Sequence, residues 1–187
     1  TNVLEPEFCA KAMRWFDDPA VAAVFGVFRQ DAAHTTADRW RGRHLFKLGA
    51  ARSLQRDALL ATSGALVRRS AVVAAGGFIP ALLHSEDADL GRRLLAQGYA
   101  VVCDPGIGFV SISQNTVGEV LERYWRWYAG EQEAVTWRGY AGNIGYAVKS
   151  MVPEDLRAGD FGSAAISLVC PHYQFWKSRV RARASAR

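Results

Sequence analysis

Val21 to Phe28 (Val-Ala-Ala-Val-Phe-Gly-Val-Phe) restricts the fold more than any other stretch of the chain. It is apolar throughout and rich in Val and Phe, so it reads as a strand covered on both faces. Tyr99 to Cys103 reads as another buried strand. Leu59 to Val67 and Ile107 to Ser113 read as two more, with Asp104-Pro105-Gly106 as a turn. Helical spacing runs from Glu7 to Phe16 and ends at Asp17-Asp18-Pro19, because proline disfavours helix in the residue before it. Residues 31–44 read as a polar loop leading into a helix that reaches about Arg56. Arg68-Arg69-Ser70 starts a short helix that stops at Gly76-Gly77. Thr116 and Glu119 fit a capping box ahead of a long helix to about Gly130. Gly139 to Gly145 reads as flexible. Helices are expected at 143–151 and 161–170, with Pro171 breaking the last. Strands alternating with helices predict an α/β class. The strands are few for so many helices, as in a sheet that lacks part of itself.

The chain has 187 residues, enough for one domain with a sizeable core, and no apolar run approaches the roughly 18 residues needed to span a bilayer. The net charge of +5 is local: Lys177, Arg179, Arg181, Arg183 and Arg187 form a tail without an acid. The other 18 basic side chains equal the 18 acidic ones, which argues against a nucleic-acid-binding face. The tail is expected to be disordered or to touch anionic lipid. Tyr173, Phe175 and Trp176 precede it, and aromatics followed by cations suit a membrane interface. Cys9, Cys103 and Cys170 are far apart and read as reduced thiols of a cytoplasmic protein. His34, His44, His84 and His172 are equally scattered, so no metal site is read from them. The start at Thr1, without Met or a signal-peptide pattern, reads as a piece of a longer chain.

The segment with the most chemistry is Ser85-Glu86-Asp87-Ala88-Asp89-Leu90, the start of an acidic helix closed by Gly98. On a helical wheel Leu90, Gly91, Leu94 and Leu95 share one arc, and Asp87 falls inside it. Glu86, Asp89, Arg92 and Arg93 fall outside, and Asp89 can pair with Arg92 and Arg93 at i+3 and i+4. A lone inward carboxylate is costly to bury unless the helix N-terminus or a wet cleft supports it. Asp87 is therefore either an N-terminal cap or a general base fixed at a pocket floor. In the next long helix Val117, Val120, Leu121, Tyr124 and Tyr128 form the expected core stripe, with Arg123, Arg126 and Trp127 together on another face.

Thr62-Ser63-Gly64-Ala65-Leu66-Val67-Arg68-Arg69, then Gly76-Gly77-Phe78, then Glu86-Asp87-Ala88-Asp89-Leu90 and Arg93-Leu94, resemble in order the acceptor side of inverting family 2 glycosyltransferases with the GT-A fold. Arg123-Tyr124-Trp125-Arg126-Trp127 resembles the (Gln/Arg)-x-x-Arg-Trp motif of the processive and related branches. The resemblance implies a partial GT-A, Rossmann-like mixed sheet flanked by helices. Residues 1–135 would be the acceptor-side half, 136–176 a helical extension and 177–187 the basic tail.

The resemblance also implies a reaction: transfer of a sugar from a nucleotide diphosphate sugar to a hydroxyl of a saccharide or lipid acceptor, with inversion. Asp87 is then the general base. Ser63, Gly64, Glu86 and Trp127 contact the acceptor, and Arg123 and Arg126 hold the diphosphate, while Arg68 and Arg69 are structural. Mg²⁺ or Mn²⁺ is implied for the complete enzyme, at the inner face of a membrane or in the cytoplasm.

Two departures qualify these expectations. Thr1-Asn2-Val3-Leu4-Glu5-Pro6 resembles the stretch just after the family's metal-binding Asp-x-Asp, which places that motif and the nucleotide-binding half upstream of Thr1. Serines stand after Phe109-Val110 where many members have a histidine. The alternative function is a non-catalytic carbohydrate-binding or interaction module derived from such a fold.

Overall fold

The computed structural model describes residues 2–30, 35–48, 52–82, 85–129 and 134–185. Asp31 to His34, Leu83, His84, Gly130 and Arg187, which enter the expectations above, lie outside the described residues. The chain is α/β and divides into two compact units, Thr1–Asp31 with Gly49–Ser113, and Ala32–Leu48 with Gln114–Arg187.

The first unit holds a mixed four-stranded sheet in the order β1-β4-β2-β3, with β1 Asn2–Leu4, β2 Val21–Arg29, β3 Ala65–Val67 and β4 Ala100–Ser111. β2 runs parallel to β4, while β1 and β3 pair antiparallel with β4 and β2. Val21 to Phe28 is buried at every position, as its composition requires. One face of the sheet is covered by α1 (Phe8–Met13), whose Phe8 and Ala12 pack with Val24, Val102 and Ile107. The other is covered by α3 (Arg69–Ala74) and α4 (Glu86–Ala96), where Ala71, Leu90 and Leu94 meet Phe25, Val27 and Val101. Arg68 ties the start of α3 to the sheet, donating to the carbonyls of Val21, Phe16 and Asp18.

Three expectations fail in this unit. The helix expected to reach Arg56 is α2 (Thr36–His44), and residues 52–58 are extended instead. Gln55 exchanges backbone hydrogen bonds with Cys103, and Ala58 and Arg56 bond Val101. β1 reaches only Phe109 to Ser111 of β4, so this segment satisfies backbone groups of β4 that β1 leaves open. The strand expected over 59–67 is confined to Ala65–Val67, because the turn at Ser63-Gly64 interrupts it. Asp104-Pro105-Gly106 does not separate two strands but forms a bulge within β4: Phe25 pairs Cys103 and Val27 pairs Gly108. Asp104 supports the bulge by accepting from Gly106 N at 2.7 Å and Trp15 Nε1 at 2.8 Å.

The second unit is helical: α2, α5 (Val117–Ala129), α6 (Trp137–Tyr146), a π-helical turn (Ala147–Met151), α7 (Val152–Arg157) and α8 (Phe161–Ser185). Its core joins Trp40, Leu45, Val120, Leu121, Tyr124, Met151, Ile166 and Cys170. The capping box forms as expected, with Thr116 N donating to Glu119 Oε2 at 2.7 Å and Glu119 N to Thr116 Oγ1 at 3.3 Å. The stripe of α5 differs from the wheel: Val120, Leu121, Tyr124 and Trp125 are buried, while Val117 and Tyr128 are exposed at its two ends.

Gly139 to Gly145 is helical rather than flexible. Each helical glycine costs about 1 kcal/mol against alanine, and contacts to α8 offset it. Tyr140 stacks on Phe175 at 4.4 Å and its hydroxyl meets His172 Nδ1 at 2.6 Å. Pro171 does not break α8, which runs on through residues 177–185 where a disordered tail was expected. Proline forfeits one backbone bond. The turn before it is anchored by buried Ile166, Ser167 and Cys170, and the turns after it by Gln174 and Ser178.

Carboxylates join these helices. Asp155 is 0 % exposed, accepts from Ser167 Oγ at 2.6 Å, faces His44 Nε2 at 2.8 Å and pairs with Arg43. Burial pushes its carboxyl up, but the hydrogen bonds from His44 and Ser167 and the Arg43 guanidinium outweigh it, and the net direction is down. Asp160 is also held low, chiefly by Arg39 at 2.7 Å. Carboxylates depressed in the fold stabilise it above their unfolded value of about 3.9, and that stability is lost as pH falls through the folded values. Urea unfolding is therefore expected to show a falling midpoint below about pH 4, and Asp160→Asn a flatter acid limb. Asp155→Ala, which removes the buried acceptor shared by His44 and Ser167 and leaves Arg43 only its 3.6 Å approach to Asp160, is expected to cost about 3–5 kcal/mol. An unchanged acid limb in Asp160→Asn would contradict the assignment.

Candidate active site

α4 owes its position to a glycine. A Cβ on Gly91 would lie 2.7 Å from Leu60 N and 2.9 Å from Leu60 Cβ, so the helix backbone rests directly on the extended segment before β3. Asp87 stands one turn earlier on the same face. That contact brings its Oδ2 to 3.2 Å from Thr62 N and 3.4 Å from Thr62 Oγ1. Its Oδ1 accepts from Ala88 N at 2.8 Å, at the N-terminus of its own helix. Asp87 is thus partly buried and held by two elements, as the wheel anticipated. Asp89 pairs with Arg93 at 2.8 Å and with Arg92 at 3.8 Å, as its outward position required. Arg93 continues to the carbonyls of Ala75 and Gly77 and so fastens α4 to the end of α3.

Two backbone features flank Asp87. Ser85, the residue before α4, has φ 59°, a left-handed conformation that non-glycine residues rarely adopt. Strain of this kind is retained where surrounding structure holds it, often beside functional groups. Gly64 has φ 93°, and a Cβ there would lie 2.7 Å from Phe109 Cδ1. Only glycine fits this turn, whose carbonyl accepts from Gly26 N at 3.1 Å. Ser63, Gly64 and Glu86 are all partly exposed in the same unit as Asp87.

Arg123, Arg126 and Trp127 lie on α5 in the other unit. Arg123 is half-buried; burial and then the neighbouring Arg126 push its guanidinium down from its ordinary value, with Glu119 opposing. Two cations one turn apart, without an ion pair within 4 Å among the described residues, favour an anion. Trp127 is 46 % exposed and meets Phe46 edge-on at 5.5 Å. The expected residues thus divide between the units, Ser63, Gly64, Glu86 and Asp87 in one and Arg123, Arg126 and Trp127 in the other.

Sequence reading missed Thr62, which touches the carboxylate, and the left-handed Ser85. Thr62 was legible only as the residue before Ser63, because its contact depends on Gly91, an apparent helix weakener inside the apolar arc. Gly91→Ala is expected to destabilise the fold by about 1–3 kcal/mol through overpacking. Thermal unfolding checks it, and a melting temperature equal to that of the parent would remove the close contact from the account.

Among the described residues no group of three or more His, Cys, Asp or Glu side chains is placed to hold a metal ion. No helix among them is long and apolar enough to cross a membrane. The family model described as Glycosyl transferase family group 2 matches residues 1–175. No curated protein matches the chain. Matched over nearly its whole length, with an α/β fold that agrees, the chain belongs to glycosyl transferase family group 2.

Proposed function

We propose that this chain carries the acceptor-side catalytic machinery of an inverting glycosyltransferase, with Asp87 as the general base. The donor is a nucleotide diphosphate sugar and the acceptor a hydroxyl of a saccharide or lipid. Asp87 Oδ2 takes the hydroxyl proton as the acceptor oxygen bonds to the anomeric carbon. The bond from that carbon to the diphosphate oxygen breaks on the opposite face, and the electron pair leaves with the nucleotide diphosphate. Attack from one face and departure from the other invert the centre.

The observation that carries this reading is the hold on Asp87. Oδ1 is engaged by Ala88 N, while Oδ2 faces Thr62, which is exposed, so an acceptor can reach that oxygen. A base fixed by two elements needs little reorganisation when the proton moves. Ser63, Gly64 and Glu86 are the assigned acceptor contacts on the Asp87 side, and Trp127 offers an exposed ring for a sugar face. Arg123 and Arg126 are assigned the developing charge on the leaving diphosphate. Mg²⁺ or Mn²⁺ is the cation that the family implies for a complete enzyme, and the described residues do not fit one.

Asp87→Asn is expected to lower kcat about 10²–10⁴-fold while donor binding is retained. A nucleotide diphosphate release assay checks the rate and calorimetry with the nucleotide checks binding. Transfer at the parent rate would sink the assignment.

Membrane contact at the cytoplasmic face is the second part of the reading. Trp137 and Trp176 are 69 % and 57 % exposed, and Arg179 lies 4.8 Å from the Phe175 ring and 5.7 Å from Trp137. Exposed aromatics beside cations suit an anionic lipid surface. The double variant Trp176→Ala with Arg179→Glu is expected to lose most flotation with vesicles containing anionic phosphatidylglycerol, and equal flotation would remove α8 from that role.

A further inference from the structure

The helical unit contains a cavity of about 1230 Å³, larger than the roughly 300–1,000 Å³ usual for a small-molecule site. It is walled by α5, α6, the π-helical turn and α8, so every lining residue belongs to one unit. Its aromatic walls are Tyr124, Trp125, Tyr128 and Tyr146. Tyr124 and Trp125 are buried, whereas Tyr128 and Tyr146 are about half exposed, which gives the cavity a closed floor and an open side.

The polar groups in these walls are unusual. Gln174 is 8 % exposed, and its Oε1 accepts from Asn143 Nδ2 at 3.2 Å. Among the described residues its amide nitrogen meets no acceptor, and the hydroxyls of Tyr124, Tyr128 and Tyr146 meet no hydrogen-bond partner. Burial raises the phenol of Tyr124, which therefore stays a neutral donor across the working pH range. Buried polar groups in native structures are nearly always partnered. In this wall Trp125 Nε1 is buried without a partner among the described residues, and the Gln174 amide and the three phenols stand beside it, so the wall asks for a ligand that both donates and accepts.

Charge narrows the class. No carboxylate lines the cavity, and Arg181 is its one charged lining residue among those described. A nucleotide diphosphate brings more negative charge than that. An acyl chain would fill the space but leave the Trp125 indole N–H and the Gln174 amide nitrogen unpartnered. A chain of neutral sugar rings offers hydroxyls to those groups and apolar faces to the aromatic rings, and the volume takes more than one ring. We propose that this cavity, built wholly within the helical unit, is a saccharide-binding site taking a neutral oligosaccharide of several sugars. It does not depend on the transfer chemistry: binding here is measured without a sugar donor, so its failure and that of the Asp87 assignment are distinguishable.

The test titrates the whole chain, without nucleotide, with maltotetraose, cellotetraose, xylotetraose and chitotetraose, following tryptophan fluorescence and heat. Concentrations reach about 10 mM, which saturates a site with Kd near 1 mM. At least one oligosaccharide is expected to bind. Tyr124→Phe, which removes only a hydroxyl, and Gln174→Leu are each expected to weaken it about tenfold, with the melting temperature of Tyr124→Phe close to the parent. Tyr146→Phe, at the exposed side, gives a third variant that does not touch the core. Silence with all four saccharides overturns the proposal. So does equal affinity in the three variants, or binding of dodecanoate with no saccharide bound.

Discussion

The parallel pairing of β2 with β4 governs the first unit. Val21 to Phe28 of β2 and the two runs Val101–Cys103 and Ile107–Phe109 on either side of the β4 bulge are buried, with no polar face to turn to water. Two apolar faces demand two covers, and the chain supplies α1 on one and α3 with α4 on the other. Everything at the site follows from how closely the second cover can lie. A larger residue than glycine at position 91 would lift α4 from Leu60 and carry Asp87 away from Thr62. The position of the carboxylate is thus set by packing in the sheet layer, and the polar contacts only complete it. Arg93 makes the arrangement rigid, since it links Asp89 within α4 to the carbonyls that end α3.

The second unit solves a different problem. Its helices share one apolar core, yet two of them contain residues that weaken helices: three glycines in α6 and a proline within α8. Directional contacts make up the difference. Asp155 gathers Arg43, His44 and Ser167 from two other helices, and Ser167 in turn accepts from Trp40 Nε1 at 2.9 Å. At its other end Asp38 accepts from Asn115 Nδ2 at 2.8 Å, which joins the start of α2 to the residues before α5. Breaking one member of such a set strands a buried charge, so these groups fix one arrangement of the helices more than they add net stability.

What was legible in the sequence was local. The wheel of α4, the capping box of α5, the structural role of Arg68 and the pairing of Asp89 with Arg92 and Arg93 depend on neighbours within a few residues. Membership of the family was legible as well, since the family model matches residues 1–175. What was illegible depended on distant partners. Residues 52–58 carry no strand pattern, and they are extended because β4 needs hydrogen bonds on that side. Gly139 to Gly145 looks flexible until α8 is present to stack against it. The tail of α8 was read as disordered from composition, yet Lys177 pairs with Glu122 at 2.9 Å and lies over the Trp125 and Tyr173 rings. Thr62, the group nearest the candidate base, has no signature of its own at all.

The two readings of Asp87, cap and base, are compatible because the carboxylate has two oxygens with different duties. Oδ1 satisfies Ala88 N, one of the donors that a helix start leaves open, and that bond fixes the plane of the group. Oδ2 then points to Thr62 with long contacts of 3.2 and 3.4 Å, at the weak end of the hydrogen-bond range. A contact that long is cheaply exchanged for a shorter one to an incoming hydroxyl. A pure cap has no need of the second contact. A pure base on a flexible loop would have to be oriented at each turnover. Seating the carboxylate on the first turn of α4, beside the strained Ser85 and over a glycine contact, gives orientation through the bond to Ala88 and, in the role proposed for Asp87, leaves the second oxygen to the acceptor.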